Sequence, residues 1–104
     1  MNERYINELR EVIRKLHGVE SRHVESVPVK ETFQGKTVWE GVVEVFDLIG
    51  HPKAARAYAW SHDANGQKKR HVTVLHMDSV TSPILAVRAA IVQEFRENVA
   101  TEEG

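Results

Sequence analysis

The chain has 104 residues and no cysteine, and 14 Lys plus Arg against 15 Asp plus Glu leave a formal net charge of −1. One domain with a single core fits that length, and the missing cysteines exclude disulfide frameworks, thiolate metal sites and cysteine nucleophiles. The near-zero charge makes global attraction to nucleic acid weak and leaves only a local patch for that role. The start Met1-Asn2-Glu3-Arg4-Tyr5 carries no apolar run, and no stretch reaches the ~18 apolar residues of a spanning helix, so a soluble, cytoplasmic protein is expected.

Residues 3 to 17 place Ile6, Leu9, Ile13 and Leu16 at helical spacing, with Tyr5 and Val12 widening the stripe. This predicts an amphipathic helix capped by Asn2 and stopped at Gly18. Arg4 with Glu8, and Glu11 with Lys15, can pair on its exposed side.

Two Val-rich runs, His23 to Phe33 and Thr37 to Leu48, flank Gln34-Gly35-Lys36 and predict a hairpin. A three-residue loop sets Lys30 opposite Glu40, Val27 opposite Val43 and Val29 opposite Gly41. A two-residue loop sets Glu25 opposite Glu44, a repulsive pair, so the longer loop is expected. Pro28 cannot donate to a ladder, which makes the first strand an edge or a bulged one. Trp39, Val43 and Val45 are then expected in the core, with Glu40, Val42, Glu44 and Phe46 on the opposite face.

Gly50-His51-Pro52-Lys53 ends the second strand. In the next one, Arg56 to His62, Ala57, Ala59 and Ser61 share one face while Arg56, Tyr58, Trp60 and His62 share the other. The small face is expected beneath packed helices and the large face is expected to look outward. Asn65-Gly66 signals a type I′ turn, and centring the hairpin there pairs Ala59 with Val72, Ala57 with Val74, Trp60 with His71, Tyr58 with Thr73 and His62 with Lys69. Ser82-Pro83 then opens a second helix along Ile84, Val87, Ile91 and Phe95, broadened by Ala90, Val92 and Val99.

The expected fold is α+β: one domain over residues 1 to 100, with helix, four-stranded antiparallel meander and helix, and both helices on one sheet face. Residues 101 to 104 are expected as a disordered tail. The expected core comprises Ile6, Leu9, Ile13, Leu16, Val27, Val29, Trp39, Val43, Val45, Ala57, Ala59, Val72, Val74, Ile84, Val87, Ile91 and Phe95.

Such a sheet leaves one aromatic face bare, and a contiguous apolar patch marks a contact site. The function expected is therefore a non-catalytic interaction module that meets a protein partner or itself, most simply as a homodimer, through Arg56, Tyr58, Trp60, His62 and His71. The alternative is single-stranded nucleic-acid binding, with Tyr58 and Trp60 stacking on bases and Lys68, Lys69, Arg70 and Arg56 contacting phosphate, against which Glu40 and Glu44 stand. A third reading is a small histidine-dependent enzyme drawing an acid or base from His62, His71, Glu40 or Glu44. Six histidines invite a metal, yet no paired short spacing occurs, and neither a metal nor another cofactor is expected. Gly35-Lys36-Thr37 imitates the end of a phosphate-binding loop, but Lys30 stands where that loop needs glycine.

From Val27-Pro28-Val29-Lys30-Glu31-Thr32-Phe33 through Trp39-Glu40-Gly41-Val42-Val43-Glu44-Val45-Phe46 to Ala57-Tyr58-Ala59-Trp60, the chain resembles a group of small bacterial proteins with no assigned role. The resemblance spans about residues 23 to 97 and implies no activity. The element order also resembles double-stranded RNA-binding domains, whose last helix begins with a lysine cluster. Here that place reads Thr81-Ser82-Pro83-Ile84-Leu85, so the likeness is architectural.

Overall fold

The computed structural model describes residues 3–64 and 68–103, apart from the side chains of 62–64, 68–69 and 94–103. The element order is α1 (Glu3–His17), β1 (Glu20–Phe33), β2 (Lys36–Ile49), β3 (Arg56–Ala64), β4 (Lys68–Leu75) and α2 (Pro83–Glu103). The strands form one antiparallel sheet in the order β1-β2-β3-β4, an α+β arrangement with Pro28 on an edge strand as its missing donor requires. Helix α2 runs on through residues 101–103, expected as tail, while the Asn2 cap, the Asn65-Gly66 turn and the packing of Phe95 and Val99 lie outside the described residues.

The two helices lie on opposite faces of this sheet, which corrects the expectation that both share one. Leu9 and Ile13 of α1 pack with Phe46, Leu48, Ala57 and Ala59. Ala86 and Val87 of α2 pack with Val43, Val45, Tyr58 and Trp60. Neighbouring residues of a strand point to opposite faces, so a helix on the alanines and a helix on the aromatics must flank the sheet. Size decides which helix goes where. Helix α1 brings large side chains to the small face of β3, whereas α2 presents Ala86, Ala89 and Ala90 to the large one, so large side chains meet small ones in both layers. Leu16, expected in the core, is 63% exposed.

The β1–β2 hairpin keeps its expected inner register, with Val27 opposite Val43, Val29 opposite Gly41 and Lys30 opposite Glu40. Its tip differs from expectation. Gln34 and Gly35 form a two-residue turn with φ of 53° and 79°, and Lys36 already belongs to β2. The register between Glu31 and Thr32 then shifts by one, which restores the inner pairing. The same shift sets Glu25 against Val45 rather than Glu44, so the repulsive pair never forms, and a second shift, between His23 and Glu25, sets His23 against Phe46. Gly41 makes room for the Trp39 indole, since a Cβ there would lie 3.0 Å from that ring.

The β3–β4 hairpin is displaced by one residue from the expected register. Tyr58 faces Val74, Trp60 faces Val72, and Ala59 faces Thr73, with residues 65–67 between the strands. A one-residue slip turns every side chain of a strand over. Val72 and Val74 therefore join the aromatic layer under α2, while Thr73 and Leu75 turn toward α1.

Because Trp60 is 2% exposed within this layer, Trp60→Ala is expected to lower unfolding stability by roughly 3–5 kcal/mol. Chemical denaturation measures this, and a loss below ~1 kcal/mol would contradict the packing described.

Candidate functional site

The aromatic face expected to meet a partner is closed by the protein's own helix. Tyr58 and Trp60 are each 2% exposed, Trp39 stands edge-on to Trp60 at 5.7 Å between ring centroids, and the Tyr58 hydroxyl bonds His76 Nδ1 at 2.7 Å. Burial pushes the Tyr58 hydroxyl pKa up, partly opposed by Arg56. Neither ring can stack on a base or dock on a neighbour. Arg56 pairs with Asp47 at 3.3 Å beside the sheet. His71 faces α1, opposite the aromatic layer, with its Nε2 buried, without a hydrogen-bond partner and 3.8 Å from Glu8. Arg70 is exposed, and the side chains of His62, Lys68 and Lys69 lie outside the described residues. The predicted residues are thus scattered over two faces instead of forming one surface.

Nor does Glu44 share a face with Trp60. It sits opposite Ala59 on the α1 side, where its Oε1 accepts hydrogen bonds from His23 Nε2 at 2.9 Å and from Ser26 Oγ. His23 and Ser26 are an odd number apart and would face opposite ways in a regular strand. The bulge between them brings both to the same carboxylate. In this cluster the acid stands in the middle and the hydroxyl bonds the acid, so the order of a nucleophile–histidine relay is not met. Among the described residues, no three His, Asp or Glu side chains gather as a metal site.

A different feature stands out at the other end of the sheet. A cleft of about 470 Å³ is lined by five consecutive residues of β4, Arg70 to Val74, together with Leu16 of α1 and Ala89, Ala90 and Gln93 of α2. Alternate strand residues point to opposite faces, so a run of five can line one cleft only where the strand is met along its edge. Trp39 and Trp60 form part of the wall on the α2 side. The cleft is a slot between two helices with the last strand of the sheet along it.

The backbone bond from His76 N to Arg56 O, 2.9 Å long, fixes which groups of β4 are engaged. In an antiparallel ladder, bonded and non-bonded positions alternate. Residues 76, 74 and 72 therefore direct their amides and carbonyls at β3, and His71, Thr73 and Leu75 direct theirs away from it, toward the open edge. The same alternation leaves Ser61 N without a β2 partner, because β2–β3 pairing ends at Glu44 and Ala59; the Tyr5 hydroxyl accepts from it at 2.9 Å. The Thr73 side chain is anchored on the other side, with its hydroxyl 2.8 Å from His17 Nε2.

His17 lies edge-on to His51 at 6.4 Å, and His51 Nδ1 accepts the backbone amides of Lys53 and Ala54 at 3.0 and 2.9 Å. Burial, and then the proximity of His51, hold the His17 pKa below the usual 6.5. None of this was legible from spacing, since His17, His51 and Thr73 are remote in sequence; the edge position of the fourth strand of a meander was the one available signal.

The chain matches no protein-family model, no curated protein and no solved structure.

A lowered histidine pKa in the folded state means that the unfolded chain binds the proton more readily, so stability rises with pH across that interval. The protein is expected to be most stable above 6.5, the usual histidine value, and to lose stability as pH falls below it. His17→Gln should make the fall shallower in thermal melts between neutral and mildly acidic pH; an unchanged slope contradicts the assignment.

Proposed function

We propose that this chain is a non-catalytic interaction module that takes an extended segment as a fifth strand along β4. The observation that carries this reading is the cleft shared by five consecutive β4 residues and by both helices. Strand addition draws affinity from main-chain hydrogen bonds and selectivity from pockets for alternate side chains. Here the backbone groups of His71, Thr73 and Leu75 supply the first, and the apolar wall of Val72, Val74, Ala90 and Ile91 supplies the second. The sheet's other edge is a poorer acceptor, because β1 carries Pro28 and a bulge near Val24.

Thr73→Pro tests the reading directly. Its amide points away from β3, so proline removes an edge donor without removing a β3–β4 bond. Thr73→Val keeps the amide and loses only the hydroxyl bonded to His17. With a synthetic peptide of alternating valine and threonine as probe, the amide resonances of His71, Thr73 and Leu75 should shift in the native chain and in Thr73→Val. In Thr73→Pro the binding should be weakened at least tenfold, with folding confirmed by thermal melting. Shifts confined to another surface, or none at all, would refute strand addition at β4.

A further inference from the structure

Resting on the strand-addition reading, we propose that the β4 edge takes an amphipathic segment of another protein, antiparallel to β4, with large apolar side chains opposite Val72 and Val74 and a carboxylate opposite Arg70. Trp60 faces Val72 and Tyr58 faces Val74 in the layer under α2, so Arg70, two residues from Val72, belongs to the same face. Residues opposite one another in a ladder share a face. A fifth strand therefore sets alternate side chains beside Val74, Val72 and Arg70 on the α2 side, and those between beside Leu75, Thr73 and His71 on the α1 side. Every pairing in the sheet is antiparallel, and that ladder is the stronger per residue.

The two sides of the cleft differ in what they accept. On the α2 side Ala89 and Ala90 line it with Val72 and Val74, and their short side chains leave room within the 470 Å³ for leucine-sized groups. Arg70 ends this row. Among the described residues lining the cleft, Arg70 is the one Lys or Arg and no Asp or Glu is present, so a carboxylate placed opposite it forms a cross-strand ion pair where a lysine would meet like charge. Glu8, beside His71, lies on the α1 side. The net charge of −1 gives an acidic segment no general attraction, so the preference resides at this one position. On the α1 side the Thr73 hydroxyl is held by His17, and a threonine opposite it is a matching cross-strand partner.

The test uses the intact protein and a synthetic peptide Thr-Leu-Thr-Leu-Thr-Glu, acetylated and amidated at its ends, whose residues align in order with Leu75 back to Arg70. Affinities are read from the amide shifts of His71, Thr73 and Leu75, with peptides ending in Gln or Lys for comparison. The Glu peptide should bind about threefold tighter than the Gln peptide and the Lys peptide more weakly still, a spread that narrows at high salt. Arg70→Glu, at an exposed position, should melt as the native chain does and reverse that order. Replacing both leucines by threonine should weaken binding at least about tenfold. Equal binding of the Glu, Gln and Lys peptides overturns the carboxylate and leaves strand addition standing. A preference for the Glu peptide that survives in Arg70→Glu puts the acid elsewhere and overturns the register, and equal binding of the reversed sequence overturns the antiparallel direction. Should the same amides shift with protein concentration alone, a second copy fills the edge and the proposal falls. If no peptide moves them, the valine–threonine one included, strand addition falls with it.

Discussion

The structure depends on the way β3 is held between two helices of opposite character. Ala57 and Ala59 form a shallow floor that admits the large side chains Leu9 and Ile13 of α1. Tyr58 and Trp60, one residue out of phase, fill the space left by Ala86 and its alanine neighbours on α2. Close packing in a small domain requires such pairing of large against small, because two large faces would hold the layers apart and two small ones would leave cavities. A single strand with strictly alternating residue sizes therefore sorts the two helices onto the two faces of the sheet.

That sandwich has a consequence for the edges. With both faces of β3 covered, the sheet keeps its rims beside the helices for further contacts, and the two rims differ. On β1, Pro28 and the bulge near Val24 break the row of backbone groups, while β4 presents a regular row between two helices. The short pairing of β2 with β3, from Glu44–Ala59 to Asp47–Arg56, leaves an unpaired amide at Ser61, and the protein satisfies it internally with Tyr5. No side chain is similarly recruited for the outward groups of His71 and Thr73 in the contacts described. An unengaged row beside an apolar cleft is the arrangement by which sheets acquire further strands.

Irregularities in β1 and β2 do more than bend the hairpin. The shift at Glu31–Thr32 separates two glutamates that a regular two-residue hairpin would oppose, and the one at His23–Glu25 turns His23 onto the face of Ser26, where both bind Glu44. The two irregularities together replace a repulsion with a satisfied buried carboxylate. On the other face the Arg88 guanidinium performs the same service for Glu31, holding its carboxyl below the usual carboxylate range chiefly through their hydrogen bond.

Local patterning by itself determined the order of helix, four strands and helix, the edge position of Pro28, the inner register of the first hairpin and the two-faced composition of β3, because periodicity and turn residues act over a few neighbours. It did not determine the face each helix would choose or the register of β4. Asn65-Gly66 suggested a two-residue turn that gave internally consistent faces, yet a slip of one residue reversed them all, and only packing of Val72 and Val74 beside Trp60 and Tyr58 distinguishes the two solutions. The candidate site followed the same division. Its strand was visible in the chain, but the slot along its edge exists only because Leu16 and Ala90, 74 positions apart, are brought to either side of it by the helices' opposed placement. Such long-range complementarity of side-chain size is a property of the assembled layers, and no local pattern carries it.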